Sequence, residues 1–239
     1  MEKRMRNSMQ PQEIEAKEVY TFEDLVQITR ALRSENGCPW DKEQTHLSLT
    51  PCMIEEAYEV VEAINNEDIP NLCEELGDVL LQVTMHTEIA EEVGDFCLND
   101  VTTGICKKLI RRHPHVFGDL LVSGTKEVLA NWEEIKKNEK NEATPLEGIK
   151  RIPKALPACI RGQKTIKKSK KADYISFKEE EIKENVKGLL EKDLTKDEIG
   201  ELLFEILKLS EEKKVNAEEA LRDYTTRFVE ELEEKVEEI

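Results

Sequence analysis

The stretch from Thr50 to Gly94 contains no lysine and no arginine, although 36% of the 239 residues are charged. Its 45 positions carry twelve acidic side chains. Charges of one sign packed that densely destabilise helices unless something positive binds them. Other absences narrow the class. The six cysteines (Cys38, Cys52, Cys73, Cys97, Cys106 and Cys159) form no CxxC pair and no zinc spacing, as expected of reduced, buried thiols in a cytosolic protein. No apolar run approaches the roughly 20 residues of a membrane span, and the polar N-terminus does not read as a secretory signal. A net charge of −17 denies the chain the basic footprint that nucleic-acid binding needs. It does not exclude a phosphate ligand, because a divalent metal inverts the local sign. No period-2 alternation occurs, which excludes a half-buried sheet. The expectation is an all-α, cytoplasmic protein with no membrane and no nucleic-acid partner.

What is present is a succession of helix signals. Residues 1–20 have no period and read as a tail. Thr21 with Asp24 resembles a capping box, with Leu25, Ile28 and Leu32 at helical spacing and a stop near Asn36-Gly37. Cys38 to Leu49 is irregular, too polar and broken for a core element. A helix follows from Thr50, read as its N-cap, through Pro51 to Asn65-Asn66. Its partner begins near Asp68-Ile69-Pro70 and ends at Gly94. Asn99 or Asp100 can cap a third helix through Arg112, which Pro114 ends. A loop (113–124) precedes a fourth helix from Thr125 to Asn141, and residues 143–158 read as a proline-bearing linker. Beyond it lies a basic helix, then three with start signals at Ser176/Glu179, Thr195/Glu198 and Asn216/Glu219.

The chemistry concentrates in the Thr50–Gly94 hairpin. Each helix carries a carboxylate pair three residues apart, Glu56 with Glu59 and Glu75 with Asp78, and i,i+3 residues share a face. On a helical wheel the first helix gathers Met53, Ile54, Ala57, Val60, Val61 and Ile64 into a core arc. Glu55, Glu59 and Glu62 fall opposite, where solvent is the simpler reading. The second helix, with a core arc of Leu72, Leu76, Val79, Leu80 and Val83, is apolar nearly all round in its later turns. Glu75 and Asp78 therefore sit on a face that is covered further along. Carboxylates so placed need a partner, and a cation is the economical one. Oxygen-only ligands favour magnesium or manganese over zinc.

The hairpin has an echo. Glu55-Glu56-x-x-Glu59 and Glu75-Leu-Gly-Asp78 recur as Glu180-Glu181-x-x-Glu184 and Glu198-Ile-Gly-Glu201. Two copies of one helical module fit this better than a single large domain.

These motifs resemble the MazG family of nucleoside triphosphate pyrophosphohydrolases, all-α enzymes marked by EExxE followed at a distance by ExxD. Cys38-Pro-Trp-Asp41 with Gln44-Thr45, Arg111-Arg112-His113-Pro114-His115-Val116-Phe117, and Trp132 with Lys136 also fit, and the two-copy layout is that of longer members. The resemblance implies Mg2+-dependent hydrolysis (Mn2+ as a substitute) of nucleoside triphosphates to NMP and pyrophosphate by a homodimer with sites built from both subunits. It implies Glu56, Glu59, Glu75 and Asp78 as metal ligands, Lys108 and Arg112 on the triphosphate, and Trp132 and Lys136 closing on the nucleotide. An unliganded carboxylate, Glu55 or Glu59, would align the attacking water. On this reading residues 21–142 form the catalytic module and 159–239 a degenerate second one. There Glu201 replaces the expected aspartate, and Glu231 reverses a charge meant for phosphate.

Bland readings stand beside these. The four histidines, His46, His86, His113 and His115, are expected as hydrogen-bonded loop or core residues. Trp40 is expected as a packing anchor, with base stacking as the alternative. The lysines from Lys164 to Lys171 read as a solvated face or as an offset to acids of a neighbouring module. Two other functions compete: a non-catalytic helical adaptor, and a di-metal carboxylate oxidase. The latter wants two Glu-x-x-His pairs, and only Glu43 with His46 is available.

Overall fold

The computed structural model describes residues 14, 16–139 and 144–237, and among these there is no strand. Twelve helices follow in order: α1 (Phe22–Leu32), α2 (Pro39–Glu43), α3 (Thr50–Asn65), α4 (Ile69–Val93), α5 (Leu98–Arg112), α6 (Pro114–Phe117), α7 (Thr125–Glu139), α8 (Pro145–Lys150), α9 (Ala158–Lys171), α10 (Glu179–Leu190), α11 (Lys196–Lys213) and α12 (Ala217–Glu237). The fold is all-α, as the missing alternation required. None of the helices is long and apolar enough to cross a membrane. The chain divides into two units, 1–128 and 129–239, with the division inside α7. Most of the residues expected as a tail, and the last two residues of the expected fourth helix (140–141), lie outside the described residues.

In the first unit α1 starts at a capping box. Thr21 Oγ1 accepts from the Asp24 amide, while the Asp24 carboxylate accepts from the Thr21 amide at 2.9 Å and from Lys17 Nζ at 2.6 Å. These contacts hold Asp24 down to a pKa of about 2, Lys17 first and then Thr21. A depressed carboxylate stabilises the fold above its ordinary value of 3.8, and that stability is lost as pH falls through about 2. Asp24→Asn is expected to flatten the acid limb of the stability curve between those limits, read by urea denaturation at successive pH values. The helix ends at Leu32, four residues before Asn36. Gly37 lies in the following turn, where a Cβ would collide with the carbonyl oxygens of Leu32 and Ala31.

The α3–α4 hairpin is the centre of this unit. Asp68 caps α4 through the Asn71 amide at 3.1 Å. The helix runs 25 residues to Gly94, whose φ of 81° is the left-handed C-cap that glycine adopts without penalty. Its second half is buried on most sides, at Gln82, Thr84, Met85, Thr87, Glu88, Ile89 and Ala90. α1 docks along this half: Thr29 and Thr84 hydroxyls meet at 2.9 Å, and Arg30 reaches Glu88 at 3.2 Å and Glu91 at 3.0 Å. Arg33 grips both oxygens of Glu92 and also donates to the carbonyls of Asp41 and Gln44. That one guanidinium fastens the α2 segment to α1 and α4.

Several boundaries differ from the sequence reading. The irregular stretch contains α2, and Leu49 at its end is 2% exposed and packs with Met85 and Ile89, so the segment does supply core. Leu49, not Thr50, holds the N-cap position of α3. Cys97 caps α5, with Asp100 at the third helical position answering its amide at 2.9 Å. The loop 113–124 begins with one turn of helix, α6. Lys178, not Ser176, precedes α10, whereas Thr195 and Glu198 form the expected box. The Glu219 amide reaches the Asn216 side chain at 3.4 Å.

The second unit packs α9 against α8, α11 and α12, and α10 against α11. The segment expected as a linker holds α8, capped by Thr144, with Gly148 and Ile152 buried. Ile166, Ile182, Leu189 and Leu207 form the interior. Gly162 lets α11 approach, since a Cβ there would strike Leu207 Cδ1. Gln163 clamps the α11–α12 turn, donating to Val215 O at 2.7 Å and accepting from the Ala217 amide at 2.9 Å. Lys168 donates to Gly148 O, Lys170 pairs with Glu212, and Lys171 lies 3.8 Å from Glu133. The basic face, largely solvated, thus meets acids of its own unit.

Candidate metal centre

The two helices of the α3–α4 hairpin bring Glu56, Glu75 and Asp78 together, with one carboxylate oxygen from each lying within 4.8 Å of the others. All three are half-buried. Glu59 joins them from the next turn of α3. Burial, the Asp78 charge and a hydrogen bond that the protonated Glu56 carboxyl donates to Glu59 push Glu56 above its ordinary carboxylate range. Burial and the Glu59 charge push Glu75 in the same direction. Glu56 and Glu75 thus both resist ionising beside their neighbours, which is the electrostatic signature of a volume short of positive charge. None of the four makes an ion pair with a basic side chain among the described residues.

The acids further along α4 have a different fate. Glu88, Glu91 and Glu92 are neutralised by Arg30 and Arg33 of α1. The absence of basic residues between Thr50 and Gly94 is therefore compensated at one end of the hairpin and left open at the other. The open end offers hard oxygen donors only, and that donor set fits Mg2+ or Mn2+ better than zinc.

Reaching this arrangement requires α3 to face α4 with Met53, Glu56, Glu59, Val60 and Ala63. The expected apolar arc is split: Met53 and Val60 are half-buried, whereas Ile54 is 49%, Val61 36% and Ile64 54% exposed. On α4, Leu76 and Leu80, assigned to the core arc, are likewise exposed. Val101, Ile105 and Leu109 of α5 add a third exposed apolar row in the same unit.

The remaining sequence candidates are dispersed. Glu55 is exposed and outside the three-carboxylate group. Lys108 and Arg112 stand one turn apart on α5, Lys108 exposed and Arg112 half-buried. Trp40 on α2 is 61% exposed, so the expectation of a packing anchor fails. Trp132 and Lys136 lie beyond the division of the chain, with the ammonium 4.5 Å from the indole centroid. The histidines are hydrogen-bonded as expected in three cases. His46 and His86 stack with their Nδ1 atoms 2.8 Å apart, and His113 Nδ1 meets Leu109 O at 2.7 Å. Burial and His46 lower the pKa of His86. With His46 committed to His86, the one Glu-x-x-His pair contributes no ligand cluster, and the oxidase reading loses its basis.

Sequence reasoning missed Arg30 and Arg33. Their signal was available: two basic residues three apart at the end of α1, Arg33 being its C-cap, matching the acid-rich end of α4. It missed Gln82 as well, whose burial follows from the orientation of α4 alone.

The family described as MazG nucleotide pyrophosphohydrolase domain matches residues 44–117, the segment holding all four clustered acids. The chain is 42% identical over 226 residues to the nucleoside triphosphate pyrophosphohydrolase/pyrophosphatase MazG of Thermotoga maritima, covering 91% of this chain and 86% of that protein. It is 38% identical over 217 residues to the nucleoside triphosphate pyrophosphohydrolase of Escherichia coli K12, covering 85% and 82%. Bacillus subtilis YabN is 52% identical over 147 residues, 61% of this chain, which spans only 29% of that longer protein. On the likeness to two relatives along most of their length, the chain belongs to the MazG family of nucleotide pyrophosphohydrolases.

Proposed function

We propose that this protein hydrolyses nucleoside triphosphates to NMP and pyrophosphate with Mg2+, which Mn2+ can replace, and that the N-terminal module, residues 21–142, performs the reaction. The observation that carries this reading is the convergence of Glu56, Glu75 and Asp78, oxygen donors without a basic partner, inside the segment that matches the family. The Thermotoga and Escherichia relatives bear the name of the activity.

The residues divide the work by chemistry. Glu56, Glu59, Glu75 and Asp78 would hold the cation. When bound, it would neutralise phosphate oxygens and make a water more acidic. Lys108 and Arg112, on one face of α5, would take the triphosphate, Arg112 as a planar fork and Lys108 as a point charge. Phosphoryl transfer leaves a protein mostly positioning and charge stabilisation to supply. Glu55, or Glu59 if it is not a ligand, would orient the attacking water. Trp132 and Lys136 would close on the nucleotide, and exposed Trp40 presents a face for stacking a base.

The exposed apolar rows on α3, α4 and α5 favour a homodimer, since a face of that extent on a protein this acidic calls for a cover of its own kind. Residues 21–142 would form the catalytic module and 159–239 the degenerate copy, in a cytoplasmic protein that binds neither nucleic acid nor membrane. A non-catalytic adaptor would leave the acidic cluster without a role. Incubation with each common NTP and dNTP plus Mg2+ decides the reaction class: pyrophosphate with NMP is expected, and phosphate with NDP overturns it. In the same assay Glu201→Gln, in the second copy, is expected to retain activity within about twofold. A loss beyond tenfold would assign catalysis to both units.

A further inference from the structure

Two buried side-chain oxygens find no hydrogen-bond partner among the described residues, Gln82 Oε1 and Glu205 Oε2. They occupy one register. Gln82 lies seven residues after Glu75, the first acid of ExxD on α4. Glu205 lies seven after Glu198, the first acid of ExxE on α11. In the second unit the other oxygen of Glu205 holds Lys208 Nζ at 2.6 Å, so α11 supplies a cation to that register from its own sequence. Neither α3 nor α4 contains a lysine or arginine.

Gln82 is exceptional on its own helix. The other buried polar side chains of α4 are satisfied: Thr84 by Thr29, Thr87 by Val83 O, and Glu88 by Arg30. Gln82 is 6% exposed, one turn past Asp78, about 6 Å along the axis. At 100° per residue it projects between Glu75 and Asp78. It therefore forms the layer next to the carboxylate cluster. A buried acceptor left unpaired is costly, and a neutral one adds no charge to acids that already repel one another.

We propose that Gln82 is a positioning residue of the cation site: its carboxamide oxygen accepts a hydrogen bond from the hydration water of a divalent cation held by Glu56, Glu75 and Asp78. The inference rests on the metal reading given under Proposed function. Mg2+ and its substitutes keep several waters when bound by few carboxylates, and those waters are strong donors. Partners of this outer kind tune affinity by about 10–100-fold.

The test uses the full chain and Mn2+ alone, with free Mn2+ read by electron paramagnetic resonance and melting followed in EDTA and in Mn2+. Gln82→Leu is expected to weaken Mn2+ binding about 10–100-fold. It is also expected to raise the melting midpoint in EDTA by about 2–4 °C, because the orphaned oxygen is gone. Gln82→Glu, which restores an acceptor, is expected to restore binding. Mn2+ affinity of Gln82→Leu within twofold of the parent, or a lower midpoint in EDTA, overturns the proposal and makes Gln82 a packing residue. Gln82→Met answers to the same criteria if Gln82→Leu does not fold. If the parent chain fails to bind Mn2+, or Asp78→Asn binds it equally well, the metal reading itself falls and this inference with it.

Discussion

Asp78→Asn is expected to lower kcat/KM for nucleoside triphosphate hydrolysis by at least about 100-fold, some 2.7 kcal/mol of transition-state stabilisation. The lower bound follows from outer-sphere partners, whose loss already costs up to about 100-fold in affinity or activity. A direct ligand is worth more. The same change is expected to abolish saturable Mg2+ binding and the rise in melting temperature that binding confers.

Stability should move the other way. In the metal-free chain the Asp78 charge is one of the causes that push Glu56 up, so removing it relieves repulsion. The sign is fixed by linkage. A carboxylate whose folded pKa lies above its unfolded value binds protons preferentially in the folded state, so stability falls as pH rises from 4.5 through the raised value. The variant lacking activity should therefore melt at or above the parent in EDTA at neutral pH. A variant that is inactive because it misfolds would melt below it. Activity within threefold of the parent would remove Asp78 from the reaction.

How much of this could be read from the residues alone depends on which partner each helix face meets. Capping chemistry is local, and so Thr21, Asp68, Thr195 and Gly94 announced their helix ends correctly. Convergence of the acids could be expected from the i,i+3 pairs, because two antiparallel helices joined by a short turn have few ways to pack. The orientation of α3 could not. Its wheel offers an apolar arc through Met53, Ile54, Ala57, Val60, Val61 and Ile64, and a mixed face through Met53, Glu56, Val60 and Ala63 that shares two of those residues. Hydrophobicity alone assigns the first to the core. The structure gives α4 the mixed face, and an apolar face left open in one chain is indistinguishable in sequence from one buried inside it. Leu49 shows the same difficulty in reverse. A single apolar residue closing a polar segment carries no period, yet it meets Met85 and Ile89 and is nearly inaccessible. Trp40 was misjudged because its size suggested burial, while the short helix α2 is held by Arg33 through backbone carbonyls and does not need the indole.

Arg30→Ala is expected to destabilise the first unit by about 3–5 kcal/mol, the largest stability effect of any single change outside the site. The guanidinium meets Glu88 at 3.2 Å and Glu91 at 3.0 Å, and the Glu88 side chain is only 6% exposed. Truncating one partner of such a pair leaves the other charge buried without compensation, a cost of about 3–5 kcal/mol. Surface ion pairs in the same protein, such as Lys183 with Glu179, are solvent-screened and contribute far less. Chemical denaturation should give a lower midpoint at unchanged m-value, and the deficit should persist at high salt, since a buried pair is poorly screened. Replacing both partners, Arg30→Met with Glu88→Leu, is expected to recover most of the loss, because apolar side chains of similar volume substitute well for a buried pair. A loss below 1 kcal/mol for Arg30→Ala would mean that Glu88 finds another partner. Mn2+ affinity should change little wherever Arg30→Ala remains folded, because Glu88 lies ten residues, about 15 Å of helix, beyond Asp78. The covered half of α4 thus sets the stability of the helix, while its other half holds Glu75 and Asp78 against Glu56 and Glu59 of α3, acids that meet no basic side chain among the described residues.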